Sequence, residues 1–170
     1  MRNSVIIILF LLKNIDGFAQ KIDNHLIYKS QIDWSSFKGV PNDDSAGARI
    51  SLNIHLEVSK VSVWNGNIIF KAYARMNPLE SWVRPGYEDE HTLQHEQTHF
   101  NITEMCARGL QSELNKMKIR FLKSPAIQET FNKWQIKMED LQNQYDLETK
   151  GGNISVAQHD WNQKILAELN

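Results

Sequence analysis

The sequence predicts one α+β domain in which a small antiparallel sheet packs on a long helix and two following helices, and three observations predict it. Apolar residues alternate strictly with polar ones from Ile50 to Val58, the period of a half-buried strand. Beyond Pro85-Gly86 the period lengthens to about 3.6 residues and stays there through the last segments. Internal repeats, low-complexity stretches and a linker that would separate two domains are all missing.

Each element follows from its own pattern. Ile50, Leu52, Ile54, Leu56 and Val58 define the first strand, Asn65-Gly66 is a hairpin-type turn, and Ile68 to Met76 returns antiparallel with Ile68, Phe70, Ala72, Ala74 and Met76 on one face. Ahead of this pair, Leu26 to Tyr28 reads as a short strand, and Trp34, Phe37 and residues 39–47 read as a loop with aromatic anchors. The long helix runs from near Asp89 to Leu122, where Ser124-Pro125 ends it. In the second helix Ile127, Phe131, Trp134, Met138, Leu141 and Tyr145 form a narrow seam suited to lying antiparallel on a neighbour, and Gly151-Gly152 stops it. Asn153 or Ser155 caps a third helix with Val156, Trp161, Ile165 and Leu169 on one stripe.

Composition narrows the function. With 19 Lys+Arg, 20 Asp+Glu, a formal net charge of −1 and 41% hydrophobic residues, the 170-residue chain has the make-up of a globular domain. It carries no block of five or six like charges, so neither nucleic acid nor anionic lipid is an expected partner. Met1-Arg2-Asn3, the apolar run Val5 to Leu12 and the small residues at Gly17 and Ala19 read as a secretory signal peptide. Residues 1–19 would be removed after Ala19, leaving 20–170 as a single exported domain, periplasmic or extracellular, with no stable membrane insertion. One cysteine, Cys106, allows no internal disulfide.

Within the first long helix stands His95-Glu96-Gln97-Thr98-His99, an H-E-x-x-H sequence. Residues four apart on a helix lie about 40° apart on one face, so two imidazoles can converge on a zinc ion while Glu96 reaches its water as general base. Counting about 100° per residue from His95, Cys106 falls at about 20°, Leu110 at about 60° and Leu114 at about 100°. The expected ligand face is therefore the core face, unlike that of two accidental surface histidines.

Catalytic zinc takes three protein ligands. Glu104 lies about 180° from His95 and turns away. If the second helix folds back antiparallel, its end near Tyr145-Asp146 returns toward His95 and His99, which favours Asp146, with Glu148 or another residue of 147–153 as alternatives. Tyr145, beside Asp146, is the candidate oxyanion donor. Scattered over all the elements, the five tryptophans read as core or rim packing.

Ser81-Trp82, Leu93 to Ile102 around the histidines, Glu104, Ala107-Arg108, Tyr145-Asp146 with Thr149, and Gln158 to Trp161 resemble a family of bacterial secreted zinc-dependent proteases known as domain of unknown function 922. Asp33-Trp34, Phe37, Gly39 and Pro41 fit the opening segment of such proteins. The resemblance implies a zincin-like metallopeptidase. One departure stands out: the family pattern Y-D-x-x-T-x-H-G has a histidine where this chain has Gly151. If that histidine is the family's third ligand, Asp146 or His159 takes its place, or the site is degenerate.

The expected function is thus a secreted zinc-dependent metallopeptidase: Zn²⁺ held by His95, His99 and Asp146, Glu96 as base, Tyr145 as oxyanion donor, and a peptide or protein as substrate, which an exposed edge of either long strand could seat. The rival is a non-catalytic exported binding or adaptor protein on a degenerate zincin scaffold. A purely structural zinc site is disfavoured, because such sites are rich in cysteine.

Overall fold

The computed structural model describes residues 31–41 and 46–170. The expected signal segment, the cleavage point after Ala19 and the strand at Leu26 to Tyr28 lie outside them.

A 3-10 turn at Trp34–Ser36 is followed by strands β1 (Ala48–Arg49), β2 (Leu52–Val61), β3 (Ile68–Met76) and β4 (Trp82–Val83) and helices α1 (Glu90–Lys116), α2 (Pro125–Thr149) and α3 (Ser155–Leu169). The expected α+β class is observed. β2 and β3 pair antiparallel, with Ile54 opposite Ala74 and Leu56 opposite Ala72, and the register shifts between Val58 and Lys60. β1 and β4 form a second antiparallel pair, Ala48 opposite Val83 and Arg49 opposite Trp82. At two residues each, these strands are too short to show any periodicity in the sequence.

Alternation along β2 and β3 turns Ile54, Leu56, Phe70 and Ala72 toward α1, where they meet Cys106, Ala107, Leu110 and Leu114. On its other side α1 meets α2 through Phe131 and Met138 and α3 through Ile102, Tyr145, Trp161 and Ile165. α1 and α2 approach so closely that a Cβ at Gly109 would stand 2.1 Å from the Trp134 ring.

α1 also closes the free edge of the sheet. The backbone N–H groups of Ala74, Ala72 and Phe70 donate to Glu104 Oε2 at 2.9 Å, Gln111 Oε1 at 2.9 Å and Asn115 Oδ1 at 2.8 Å. Ile68 N–H donates to the Ile119 carbonyl at 2.7 Å. Three polar residues along one helix face thus do the work of a third strand, satisfying donors that burial would otherwise leave costly. This overturns the expectation that β3 could offer an open edge to a peptide. It also gives Glu104 the role its helical phase suggested, away from the histidines.

Asp89 caps α1 by accepting from Thr92 N–H, as its position in the sequence suggests. The helix ends at Lys116, six residues before the expected Leu122. Lys118 takes a left-handed conformation (φ 52°), and Ile119 peels away to bond β3. Met117 and Phe121, which a continuous helix would have turned inward, are consequently exposed. Ser124-Pro125 does not end α1 but opens α2, with proline in the first turn, where its missing N–H costs nothing. In α3 the buried stripe is Gln158, Trp161 and Ile165, and Val156 is exposed. Among the described residues no helix is long and apolar enough to cross a membrane.

Leu110, fully buried between the sheet and α2, should lose about 2–5 kcal/mol of stability on replacement by alanine. Gln111→Leu should cost about 1–2 kcal/mol by orphaning the Ala72 N–H. Urea denaturation of both variants checks these values.

Candidate metal centre

Where α1 meets α2, three side chains converge. His95 Nε2 and His99 Nε2 stand 3.1 Å apart, and Asp146 Oδ1 lies 3.2 Å from the first and 3.0 Å from the second. Ligand atoms about 2.0–2.1 Å from a tetrahedral zinc ion lie about 3.3 Å from one another, so these spacings are those of three corners of such a site. Two imidazole nitrogens and a carboxylate oxygen facing each other at this range would repel unless a cation, proton or metal, lies among them. Among the described residues this is the group of His, Cys, Asp and Glu side chains able to hold a metal ion. Both histidines are buried, while the Asp146 side chain is 53% exposed, so the centre opens to solvent on the α2 side.

Chain length explains how Asp146 reaches this level. The helix end at Lys116 lies 21 residues beyond His95, and Asp146 lies 21 residues beyond the start of α2 at Pro125. Equal counts on antiparallel helices bring the two positions to one height. The early end of α1 makes this possible; a helix continuing to Leu122 would have left Asp146 short of the histidines.

A second residue on α2 orients His99. Gln142 Nε2 donates to the His99 carbonyl at 3.0 Å and to Thr103 Oγ1 at 2.9 Å, which directs Gln142 Oε1 to the ring. That oxygen accepts from His99 Nδ1–H. The proton is thereby held on Nδ1, and the Nε2 lone pair is left for the shared position. Gln142 and Asp146 repeat on α2 the i, i+4 spacing of His95 and His99 on α1, the signal by which sequence reading could have found Gln142.

His95 is held by packing. Its ring stacks on Tyr145, centroids 4.7 Å apart at 22°, and meets His99 edge-on at 4.7 Å. Its Nδ1 is buried without a hydrogen-bond partner, as is Gln158 Oε1. A Cβ at Gly152 would stand 3.3 Å from the first and 3.2 Å from the second. With a φ of 89° as well, position 152 suits glycine on both counts. The preceding Gly151, where the family resemblance expects histidine, faces open space, and a Cβ there meets nothing within 4 Å.

Tyr145 is fully buried, its ring against both imidazoles and Trp161. That position braces the two imidazoles and leaves the phenol no solvent-exposed surface. Burial pushes its hydroxyl pKa well above the usual tyrosine range.

The electrostatics follow from burial and contact. Glu96 is buried beside both histidines; loss of solvent raises its carboxyl pKa, although the imidazoles and the Ile50 N–H pull the other way. Burial lowers His99, but the Asp146 hydrogen bond and the Glu96 and Asp146 charges outweigh it and leave the imidazole raised. Burial likewise raises Asp146, yet hydrogen bonds from His95 and His99 carry its carboxyl far below the ordinary range.

The remaining candidates lie elsewhere. Glu148 accepts from Trp161 Nε1 at 2.7 Å and Gln144 Nε2 at 2.7 Å, and His159 sits on the exposed face of α3 outside the cluster. Cys106 is buried in the core, its thiol pushed up to about 11 and inert. His91 ties the last loop to α1 through the Gly152 carbonyl at 2.6 Å.

Compared with models of known families, with curated proteins and with solved structures, the chain matches none. The resemblance therefore rests on the motif residues alone.

Removing the brace on His99 by Gln142→Leu should weaken metal binding about 10–100-fold without unfolding the helices, measured by competition with a chromophoric chelator. Affinity should also fall as pH drops through the raised His99 pKa, because a protonated Nε2 cannot bind a metal. Asp146, ionised far below that point, adds nothing to the loss near neutrality. Zinc titrations between about pH 5 and 8 check the sign.

Proposed function

We propose that this chain is an exported zinc-dependent metallopeptidase with a zincin-like arrangement of its helices and sheet. The observation that carries the reading is the convergence of His95 Nε2, His99 Nε2 and Asp146 Oδ1 in a group that opens to solvent on one side, with buried Glu96 next to it on the same helix. Two imidazoles and one carboxylate suit zinc better than magnesium or calcium, which prefer oxygen, and three protein ligands leave a position free for substrate or water.

When bound, zinc would polarise the scissile carbonyl and lower the pKa of water toward neutrality. His95 and His99 would bind through Nε2, the first braced by Tyr145 and the second by Gln142. Asp146 supplies the negative charge. Glu96 takes the proton of the attacking water and returns it to the leaving amine. Its raised pKa suits both halves of that exchange, since a base poised nearer neutrality gives up the proton as readily as it accepts it. We assign Tyr145 to positioning the ligands. An extended peptide is the substrate class that β2 favours, because among the described residues its outer edge pairs with no further strand.

The adaptor reading draws on Gly151, which leaves open the position where the family resemblance expects histidine. Elemental analysis and peptide cleavage by the same samples separate the two. The wild-type chain and Glu96→Gln should each hold one zinc, and His99→Ala and Asp146→Ala should lose it. Glu96→Gln should also cut cleavage of an unfolded protein substrate by about 10²–10⁴-fold. A wild type that takes up no zinc sinks the metallopeptidase reading, and zinc binding without cleavage moves the assignment to the adaptor.

A further inference from the structure

At the end of α1 remote from the histidines, two segments far apart in sequence come together. The turn between β2 and β3 is closed by Ser62 N–H to the Asn67 carbonyl at 2.8 Å and Gly66 N–H to the Ser62 carbonyl at 2.9 Å. Its base abuts the α1–α2 connection through Ile68 N–H to the Ile119 carbonyl at 2.7 Å and Arg120 Nε to Asn67 Oδ1 at 3.4 Å. The joined surface carries large apolar side chains in the open: Trp64 is 94% exposed, Val63 92% and Phe121 77%. None of them supports the fold. Around them stand Lys60, Lys116, Lys118, Arg120 and Lys123, and residues 60–67 and 116–123 contain no acid. Glu113, the nearest carboxylate back along α1, is already held by Lys133 Nζ at 2.9 Å and Trp134 Nε1 at 2.8 Å.

We propose that this surface docks on an anionic lipid bilayer, with the turn entering the headgroup–acyl boundary and the cations resting on the phosphates. Tryptophan suits that boundary because its ring is apolar and its N–H polar, and lysine stems can lie along the apolar layer with their ammonium groups in water. Aromatic rings among cations also suit single-stranded nucleic acid, whose bases stack on them. Val61 and Val63, exposed just ahead of Trp64 where β2 runs into the turn, decide between the two: aliphatic side chains offer a base no π face and partition readily into acyl chains. The contact is peripheral, worth a few side chains and five charges, and needs no spanning segment. Lys116 lies 21 residues beyond His95 on α1, about 32 Å of rise, so docking would hold the histidine centre clear of the membrane surface. The inference is independent of the metallopeptidase reading.

Sedimentation of the full chain with phosphatidylcholine vesicles, with and without phosphatidylglycerol, tests it. The apolar run at Val5 to Leu12 adds the same background to wild type and variants, so the quantity compared is the binding gained when phosphatidylglycerol is added. Binding should require the anionic lipid and weaken with salt. Lys118→Glu with Lys123→Glu should reduce it at least about tenfold, and so should Trp64→Ser, with helical circular dichroism unchanged because all three side chains are exposed. Wild-type tryptophan emission should shift to the blue on vesicles, while Trp64→Phe binds without that shift. Equal binding by wild type and variants would overturn the proposal. So would variants that leave vesicle binding intact but weaken binding of a single-stranded oligonucleotide.

Discussion

Because α2 folds back along α1 from a turn at residues 117–124, the height of every side chain on one helix is tied to its distance from that turn on the other. Gly109 lets the Trp134 ring settle against α1, and Phe131 and Met138 join the cluster around Leu110 and Leu114. The same docking sets His95 and His99 level with Asp146 and Gln142. A helix pair is a stiff frame, and the two i, i+4 spacings face each other across it. The centre therefore needs no loop to complete its first three donors.

α1 is covered on nearly all sides, which makes its polar residues informative. Those that face the sheet, Glu104, Gln111 and Asn115, are consumed by the edge of β3. Those that face the helices, His95, His99 and Thr103, are met by Asp146 and Gln142. Glu96 is the exception in kind. It is a buried carboxyl that draws on the backbone amide of Ile50, and loss of solvent raises its pKa all the same. Burying such a group costs stability, a cost that the proposed role of Glu96 as general base would account for.

Most of the centre could be read in the linear sequence. His95, Glu96 and His99 follow from one helical turn, and Asp146 from the expectation that two amphipathic helices lie antiparallel. Gln142 escaped although its i, i+4 spacing to Asp146 marked it, because an amide carries little chemical signature until the ring it braces is beside it. Gly152 escaped because it acts through close approach to His95 and Gln158, which lie on two other elements. Tyr145 was recognised as part of the centre, and the seam that carries Ile127 through Leu141 buries its phenol behind the two imidazoles.

The sequence by itself determined the α+β class, β3 to the residue, the three helices and the pair of histidines, because each depends on a period or a spacing contained within one element. Only the tertiary structure decided where α1 stops, since its end at Lys116 comes from the pull of Ile119 toward the edge of β3, with no glycine or proline to announce it. That decision sets the height of Asp146, exposes Phe121, and gathers the scattered lysines of residues 60 and 116–123 beside Trp64. A chain without any block of five or six like charges thus acquires a basic, apolar surface, because charge acts through space and the fold determines which residues share it.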